Sequence, residues 1–292
     1  RYLRLALQRI DRIIRREALR QRLLGGDPED PYRGLLISDE EVDRLIETLP
    51  ATHATVPDSP TLQDLDAEIS ELDRRLEEMA SPMSSRLGRV ISRLGLGSLE
   101  RDILLLALVT EIDPRYGRLF GFLQDDVTQS RPTVFLALRL LSADDESRRW
   151  GRTRLLAGVP LMRYGVVKLL PLQPGSERPW VQRGLQADMH IVNYLLGLAD
   201  GDPRLSGFVE TVQSRDGDRS MALSAALHTQ VLALAQEAVV IYMKGARGSG
   251  RRGAAQSICH EMGRGLMMVD LDGLLGSALS LDVALALIER QA

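Results

Sequence analysis

The chain has 292 residues, of which 44% are hydrophobic, 26% are charged and 4% are aromatic. The length suits two domains or one large one, the composition excludes a disordered chain, and a single cysteine, Cys259, excludes an internal disulfide. The formal net charge of −3 gives no overall basic field that would attract nucleic acid, and the longest apolar run, residues 103–109, is too short to cross a bilayer. We therefore expect a cytoplasmic protein without a membrane segment.

Residues 1–24 predict a basic amphipathic helix. They hold eight arginines against two acidic residues, Asp11 and Glu17. Five apolar residues recur near helical spacing: Leu3, Leu7, Ile10, Ile14 and Leu19. Residues 25–28, which contain two glycines and a proline, are expected to end the helix.

An acidic region follows this basic helix. Residues 36–80 hold thirteen acidic and three basic side chains. Ser38 and Glu41 form a capping-box pattern that begins one helix, and after a proline-rich linker residues 61–80 repeat apolar side chains at spacings of three and four. These segments predict an acidic helical hairpin, which with the basic helix forms an N-terminal helical region of residues 1–82. Two interpretations of the charges stay open: the basic helix pairs with the acidic one, or both faces are solvated.

Residues 83–200 predict a winged helix-turn-helix module. Three short helices are predicted, one beginning at Ser98, one running from Asp113 to about Val127, and one over residues 133–141. An apolar strand within residues 161–170, a return strand at 180–181 and a helix over 187–196 follow. Three helices followed by a β-hairpin is the order of elements in a winged helix-turn-helix.

From residue 221 the pattern becomes α/β. A helix precedes a β-branched strand at residues 239–243, and a glycine-rich loop, a helix and a second strand at 266–271 follow. This is the context of a phosphate-binding P-loop, G-x-x-x-x-G-K-[ST], whose backbone amides hold phosphate oxygens. The candidate nucleotide-binding residues are Gly245, Gly248, Ser249, Gly250, Arg251 and Arg252.

The glycine spacing alone is weak evidence for a P-loop. In a chain with 25 glycines, two glycines five positions apart occur roughly twice by chance. The flanking strand and helix therefore carry the prediction, and an ordinary glycine-rich turn between a strand and a helix is the alternative.

Two residues weaken the chemistry of this loop. Arg251 stands where a P-loop lysine contacts phosphates, and its planar guanidinium has a different geometry. Arg252 stands where a serine or threonine hydroxyl ligates Mg²⁺, which a cation cannot do. We expect weak binding of ATP or ADP, no metal in this chain and no catalytic residues for hydrolysis.

The loop with its flanking strand and helix resembles the start of an AAA+ ATPase module over residues 221–292. Segments upstream resemble the N-terminal region of large bacterial AAA ATPases that carry a winged-helix domain: residues 30–38, 99–108, 122–127 and 131–133. The resemblance implies a mainly α-helical protein with a winged helix-turn-helix module, followed by an incomplete α/β P-loop segment whose remaining parts lie beyond Ala292. It also implies a degenerate ATPase module and other protein subunits as partners, with copies of the same chain meeting through the ATPase region.

Other candidate chemistry is sparse. Asp270 follows the second strand of the P-loop segment and is expected to cap the next helix rather than to bind a metal. The four histidines are scattered and do not have the spacing of zinc ligands. Trp150 and Trp180 are expected to pack in the core or against the wing. Because the predicted parallel sheet is incomplete, the strand at 239–243 is expected to have an unpaired edge.

Two functions remain in competition. The first is a regulatory or adaptor region of an AAA+ ATPase, with a protein-binding winged helix. The second is a DNA-binding winged-helix transcriptional regulator. Residues 98–200 hold thirteen basic and twelve acidic side chains, and the predicted recognition helix, residues 132–141, offers only Arg139, with Arg131 before it. Because DNA binding needs clustered lysine and arginine, the sequence favours protein partners over nucleic acid.

Overall fold

A computed structural model describes residues 1–24, 59–79, 82–171, 178–199, 201–212, 225–237, 240–246 and 248–292. The chain divides into two units, residues 1–201 and 202–292. The helix predicted to begin at Ser38 and the helix stop predicted at residues 25–28 lie outside the described residues. None of the described helices combines the length and the apolar character that crossing a membrane requires.

The first unit begins with two antiparallel helices, α1 (Tyr2–Leu24) and α2 (Pro60–Glu77). Arginines spaced by about one turn on α1 pair with carboxylates that step backwards along α2: Arg9 with Asp73, Arg12 with Glu68 and Arg16 with Asp66. The predicted pairing of the basic helix with the acidic one is confirmed.

The core of this unit is built around one helix whose central part is apolar on every side. After α3 (Arg86–Leu94), helix α4 spans Ser98–Ile112, and residues 103–108 of α4 are fully buried. A helix of this kind must be covered on all faces. It packs against α1, α5 (Arg115–Leu123) and α6 (Val134–Leu141).

The remaining elements of the unit form the turn, the wing and the final helix. Helices α7 (Asp145–Thr153) and α8 (Pro160–Arg163) lead into strand β1 (Val167–Leu169). Strand β2 (Leu185–Ala187) returns antiparallel to it, with Val167 opposite Ala187 and Leu169 opposite Leu185. The predicted helix over residues 187–196 is α9 (Met189–Leu196), and the residue after it, Gly197, has the left-handed conformation.

Two predicted boundaries in this unit are wrong. The return strand lies at residues 185–187 rather than at 180–181, which form a 3₁₀ turn. Leu185 and Ala187 alternate with Gln186 and are buried, as the inward positions of a strand require. The second helix of the module ends at Leu123 rather than near Val127, because the chain turns at Asp125, which has a φ of +49°.

The second unit has a small hydrophobic core of its own. Strand β3 (Val209–Val212) follows a 3₁₀ turn, and after α10 (Ala225–Glu237) and α11 (Arg251–Glu261) strand β4 (Leu266–Val269) pairs with it antiparallel. Helices α12 (Leu271–Leu275) and α13 (Leu281–Gln291) complete the unit. The hydrophobic core of the unit contains the buried side chains of Leu205, Phe208, Leu274, Ala284 and Leu287.

The strand predicted before the glycine loop is not formed over its described residues. Residues 240–243 have no strand structure, and Val240 and Tyr242 are 83% and 86% exposed; residue 239 lies outside the described part. A strand needs a neighbour to satisfy its backbone groups, and among the described residues β4 pairs with β3 instead. Over the residues that the structure describes, the sheet of this unit is antiparallel and two-stranded, whereas the sequence predicts part of a parallel one.

Candidate functional site

The helix-turn-helix of the first unit consists of α6 and α7. Thr133 caps α6, where its hydroxyl accepts from the amide of Leu136 at 3.2 Å, and it also forms a β-bridge with Gly184. Bridge, α6, turn, α7, β1 and β2 therefore follow one another in the order of a winged helix-turn-helix. The second helix of this motif, which is the recognition helix in DNA-binding members, is α7. The predicted recognition helix at residues 132–141 is the first helix of the motif instead.

A capping box begins α7. The Asp144 carboxylate accepts from the amide of Ser147 at 2.7 Å, and the Ser147 hydroxyl accepts from the amide of Asp144 at 3.0 Å. Asp145 and Glu146 lie in the first turn and Arg152 in the last, which complements the helix dipole. This helix is absent from the sequence-based prediction, although Asp144 and Ser147 at this spacing are a recognisable start signal.

Gly151 fixes which side of α7 faces the core. A Cβ atom at this position would lie 2.7 Å from Cδ2 of Leu138 and 3.2 Å from Cδ2 of Leu99. The missing side chain lets α7 approach α6 and α4 closely. Because adjacent residues on a helix point in different directions, Trp150 and Arg152 are directed away from that contact.

The outward side of α7 carries an exposed tryptophan among arginines. Trp150 is 50% exposed, and the guanidinium of Arg154 lies 4.3 Å from the centre of its ring. Arg152 lies 5.4 Å from the ring of Trp180, which packs against the core. The predicted packing role is confirmed for Trp180 and is wrong for Trp150.

Most of the other cations of the winged helix are used internally. Arg131 pairs with Glu111 at 2.5 Å, and Arg139 pairs with Glu17 of α1 at 2.8 Å. Three further cases lie in or near the wing: Lys168 with Asp188 at 3.0 Å, Arg178 with Asp126 at 3.5 Å, and Arg183 donating to the carbonyls of Leu169 and Leu170. These cations have partners within the domain itself.

The predicted nucleotide-binding loop lies in the second unit, before α11. Gly248 and Gly250 have φ values of +86° and +81°, and Gly250 is the residue immediately before the helix. Ser249 leaves no room for a side chain at position 245, because its hydroxyl would lie 2.5 Å from a Cβ atom of that residue. The predicted helix after the loop is confirmed.

The side chains of this loop suit an anion better than a metal. Arg251 is exposed at the first turn of α11, where backbone amides and the helix dipole favour a phosphate. Arg252 donates instead to Glu210 of β3 at 2.7 Å. No hydroxyl stands at position 252, so these residues do not fit a Mg²⁺-bound nucleotide.

Asp270 has the structural role that the sequence predicts. It precedes α12, and its carboxylate accepts from the amide of Asp272 at 3.2 Å. Capping of the helix explains this carboxylate without a metal.

The chain matches a known protein family. The family description "Winged helix domain, variant" matches residues 1–209. The match covers more than half of the chain and includes α1 and α2 together with the helix-turn-helix and the wing. The chain therefore belongs to this family of winged helix domains. No curated protein and no solved structure matches it.

Proposed function

We propose that the winged helix domain binds protein and serves as a regulatory or adaptor region of an AAA+ ATPase. The proposal rests on the negative charge at the start of α7, the helix that stands in the position of a recognition helix. Helix α7 is preceded and begun by three consecutive carboxylates, at residues 144–146. In DNA-binding members the N-terminal residues of this helix approach the base edges, where carboxylates would meet phosphate repulsion.

The internal pairing of basic residues supports the same function. Arg131 and Arg139, the two cations that the sequence offers for DNA, are held by Glu111 and Glu17. Binding to duplex DNA draws its affinity from lysine and arginine that neutralise phosphates. Because Arg131 and Arg139 are already paired, they have little to gain from a phosphate backbone. Exposed tryptophan and arginine on α7 are typical of protein contacts.

The AAA+ part of the proposal rests on the resemblance of the glycine loop and of the upstream segments. The loop precedes α11 with two left-handed glycines, which suits weak binding of ATP or ADP phosphates. Other subunits, including copies of this chain, are the partners that such an ATPase would supply. Hydrolysis is not proposed for this chain.

A DNA titration tests the choice between protein and DNA. Binding of the full chain to a fluorescent random-sequence duplex would be followed by anisotropy at about 0.15 M salt. We expect weak binding without sequence preference, unchanged by Arg131→Ala or Arg139→Ala apart from effects on folding.

The DNA-binding alternative has one observation in its favour, the exposed Arg149 and Arg152 on α7. A duplex bound at nanomolar concentration, with the affinity lost on Arg149→Ala and Arg152→Ala, would establish that alternative and reject the proposed protein-binding role. Circular dichroism of each variant separates a lost contact from a lost fold.

A further inference from the structure

The outward side of α7 carries two exposed arginines next to an exposed tryptophan. Within the described part of the chain, neither Arg149 nor Arg152 has a carboxylate within ion-pair distance. Arg148, by contrast, pairs with Asp145 at 3.0 Å, and Arg154 lies 3.4 Å from Glu100. The surface formed by Arg149, Trp150 and Arg152 is called the α7 face below.

We propose that the α7 face binds an acidic amphipathic helix of another protein, with an apolar side chain of that helix packed on Trp150. The inference rests on the proposed protein-binding function and names the chemistry of the partner. Carboxylates of the partner would pair with Arg149 and Arg152, and its apolar side chain would cover the exposed half of the indole ring.

Charge complementarity identifies the partner as acidic. The two arginines are exposed at the surface, and within the described part of the chain no carboxylate lies within ion-pair distance of either. Arginine binds carboxylates through two parallel hydrogen bonds, which fixes orientation as well as attraction. A basic partner would be repelled by the same residues.

The geometry of Trp150 identifies an apolar anchor in the partner. The guanidinium of Arg154 lies against the ring at 4.3 Å, and Gly151 holds the helix against the core. The ring is therefore oriented before binding, so little side-chain freedom is lost when a partner covers it. Half-exposed tryptophan flanked by arginine is the composition of an interface hot spot.

The carboxylates at the start of α7 argue against a single-stranded nucleic acid on this face. A base stacked on Trp150 would bring the phosphates of the nucleic acid close to the carboxylates of residues 144–146, at the start of the same short helix. An acidic helix can avoid this repulsion, because it can place its carboxylates beside the arginines and turn an uncharged side toward the start of α7.

Peptide binding to the full chain tests the proposal. The probe is a synthetic amphipathic helix of about 14 residues built from glutamate, leucine and alanine, and its control has lysine in place of glutamate. A single-stranded thymidine oligonucleotide is a third probe. Tryptophan fluorescence reports binding, and Trp180→Phe leaves Trp150 as the one reporting indole.

We expect the acidic peptide to bind with a dissociation constant of about 10–100 μM, more weakly at high salt, and to shift the emission of Trp150 to the blue. Trp150→Ala and the double change Arg149→Ala with Arg152→Ala should each weaken binding at least about tenfold, measured for Trp150→Ala by anisotropy of a labelled peptide. The matched control Arg118→Ala removes an exposed arginine of α5 and should leave the affinity unchanged.

The other outcomes separate the two proposals. Absence of binding by the acidic peptide, or equal binding to the Trp150→Ala variant, overturns this inference and leaves the proposed protein-binding function standing. Tighter binding of the oligonucleotide than of the peptide, lost in the same variants, overturns both.

Discussion

Gly151 determines how closely α7 packs on the core of the first unit. Its neighbours across the contact are Leu138 and Leu99, and the first of these would meet a Cβ at 2.7 Å. The sequence shows a glycine within an arginine-rich stretch and gives no indication that a buried contact is made there. The contact depends on distances between helices, which local spacing does not determine.

Gly151→Val should destabilise the first unit by about 1–3 kcal/mol, because the added side chain overpacks a closed contact. The matched control is Gly158→Val, where a Cβ would have no atom within 4 Å and the glycine is exposed. Urea unfolding followed by circular dichroism measures both variants. Equal stability of the two variants would show that α7 does not pack as described.

Tyr116 gives the first unit a specific response to high pH. Burial, together with the hydrogen bond that its hydroxyl donates to Asp11 at 2.9 Å, raises the pKa of Tyr116 from 10.0 to about 12. The folded state thus favours the neutral phenol. The resulting stabilisation is complete below pH 10 and is lost as the pH rises from 10 to about 12.

The free energy of unfolding should therefore fall more steeply between pH 10 and 12 in the unmodified chain than in the Tyr116→Phe variant. Unfolding curves at several pH values measure this slope. Identical slopes would mean that Tyr116 titrates as an ordinary exposed tyrosine. Absorbance titration of the phenols, compared between the two proteins, gives an independent value.

At the scale of elements, α1 is tied to the winged helix by Arg9. Its guanidinium pairs with Asp73 of α2 and, at 2.7 Å, with Asp102 of α4, whose side chain is only 9% exposed. The segregation of basic and acidic residues predicts the first contact, since opposite charges lie on separate helices. It does not predict the second, because Asp102 lies far along the chain, near the start of a helix whose centre is apolar.

Arg9→Met should cost about 2 kcal/mol, because it keeps the apolar stem and leaves Asp102, among the described residues, with Arg101 at 2.8 Å as its remaining ion-pair partner. Arg15→Met, the matched control, removes a more exposed pair with Asp11 and should cost less than about 1 kcal/mol. Chemical denaturation of both variants checks the difference. A larger effect for Arg15 would contradict the bridging role of Arg9.

Around the glycine loop, the sequence correctly predicts a helix and a helix cap but not the preceding strand. Helix α11 and the capping role of Asp270 follow from local patterns that a short peptide segment already contains. A strand at residues 239–243 does not follow from its β-branched residues alone, because strand formation requires a neighbouring strand. Over the described residues 240–243 that requirement overrides the local preference.

The chain should show no Mg²⁺-dependent ATPase activity above background, because Arg252 stands at the metal-ligand position and bonds to Glu210. Arg251→Lys combined with Arg252→Thr should strengthen the binding of a fluorescent ATP analogue before any turnover appears. Arg264→Lys, beyond the other end of α11, serves as the control. Steady turnover abolished by Arg251→Ala would contradict this account of the loop.

At the scale of the whole molecule, the first unit shares one hydrophobic core between its N-terminal helices and its winged helix. Ile10 and Ile14 of α1 are fully buried in the same cluster as Leu104 and Leu136. The boundary that the sequence predicts at residue 82 lies inside this unit. The balance of acidic and basic residues changes sharply at this boundary. Charged residues lie mainly at the surface, however, whereas a domain is defined by the apolar faces that pack against one another.

Equilibrium unfolding of residues 83–201, compared with residues 1–201, tests most directly whether α1 and α2 complete the winged helix. We expect the shorter chain to lose the cooperative transition and to bind a hydrophobic dye, since α4 would lose the cover that α1 gives it. The longer chain should unfold in one transition. A shorter chain with the same midpoint and a cooperative transition of its own would contradict the account and establish the winged helix as an independent domain.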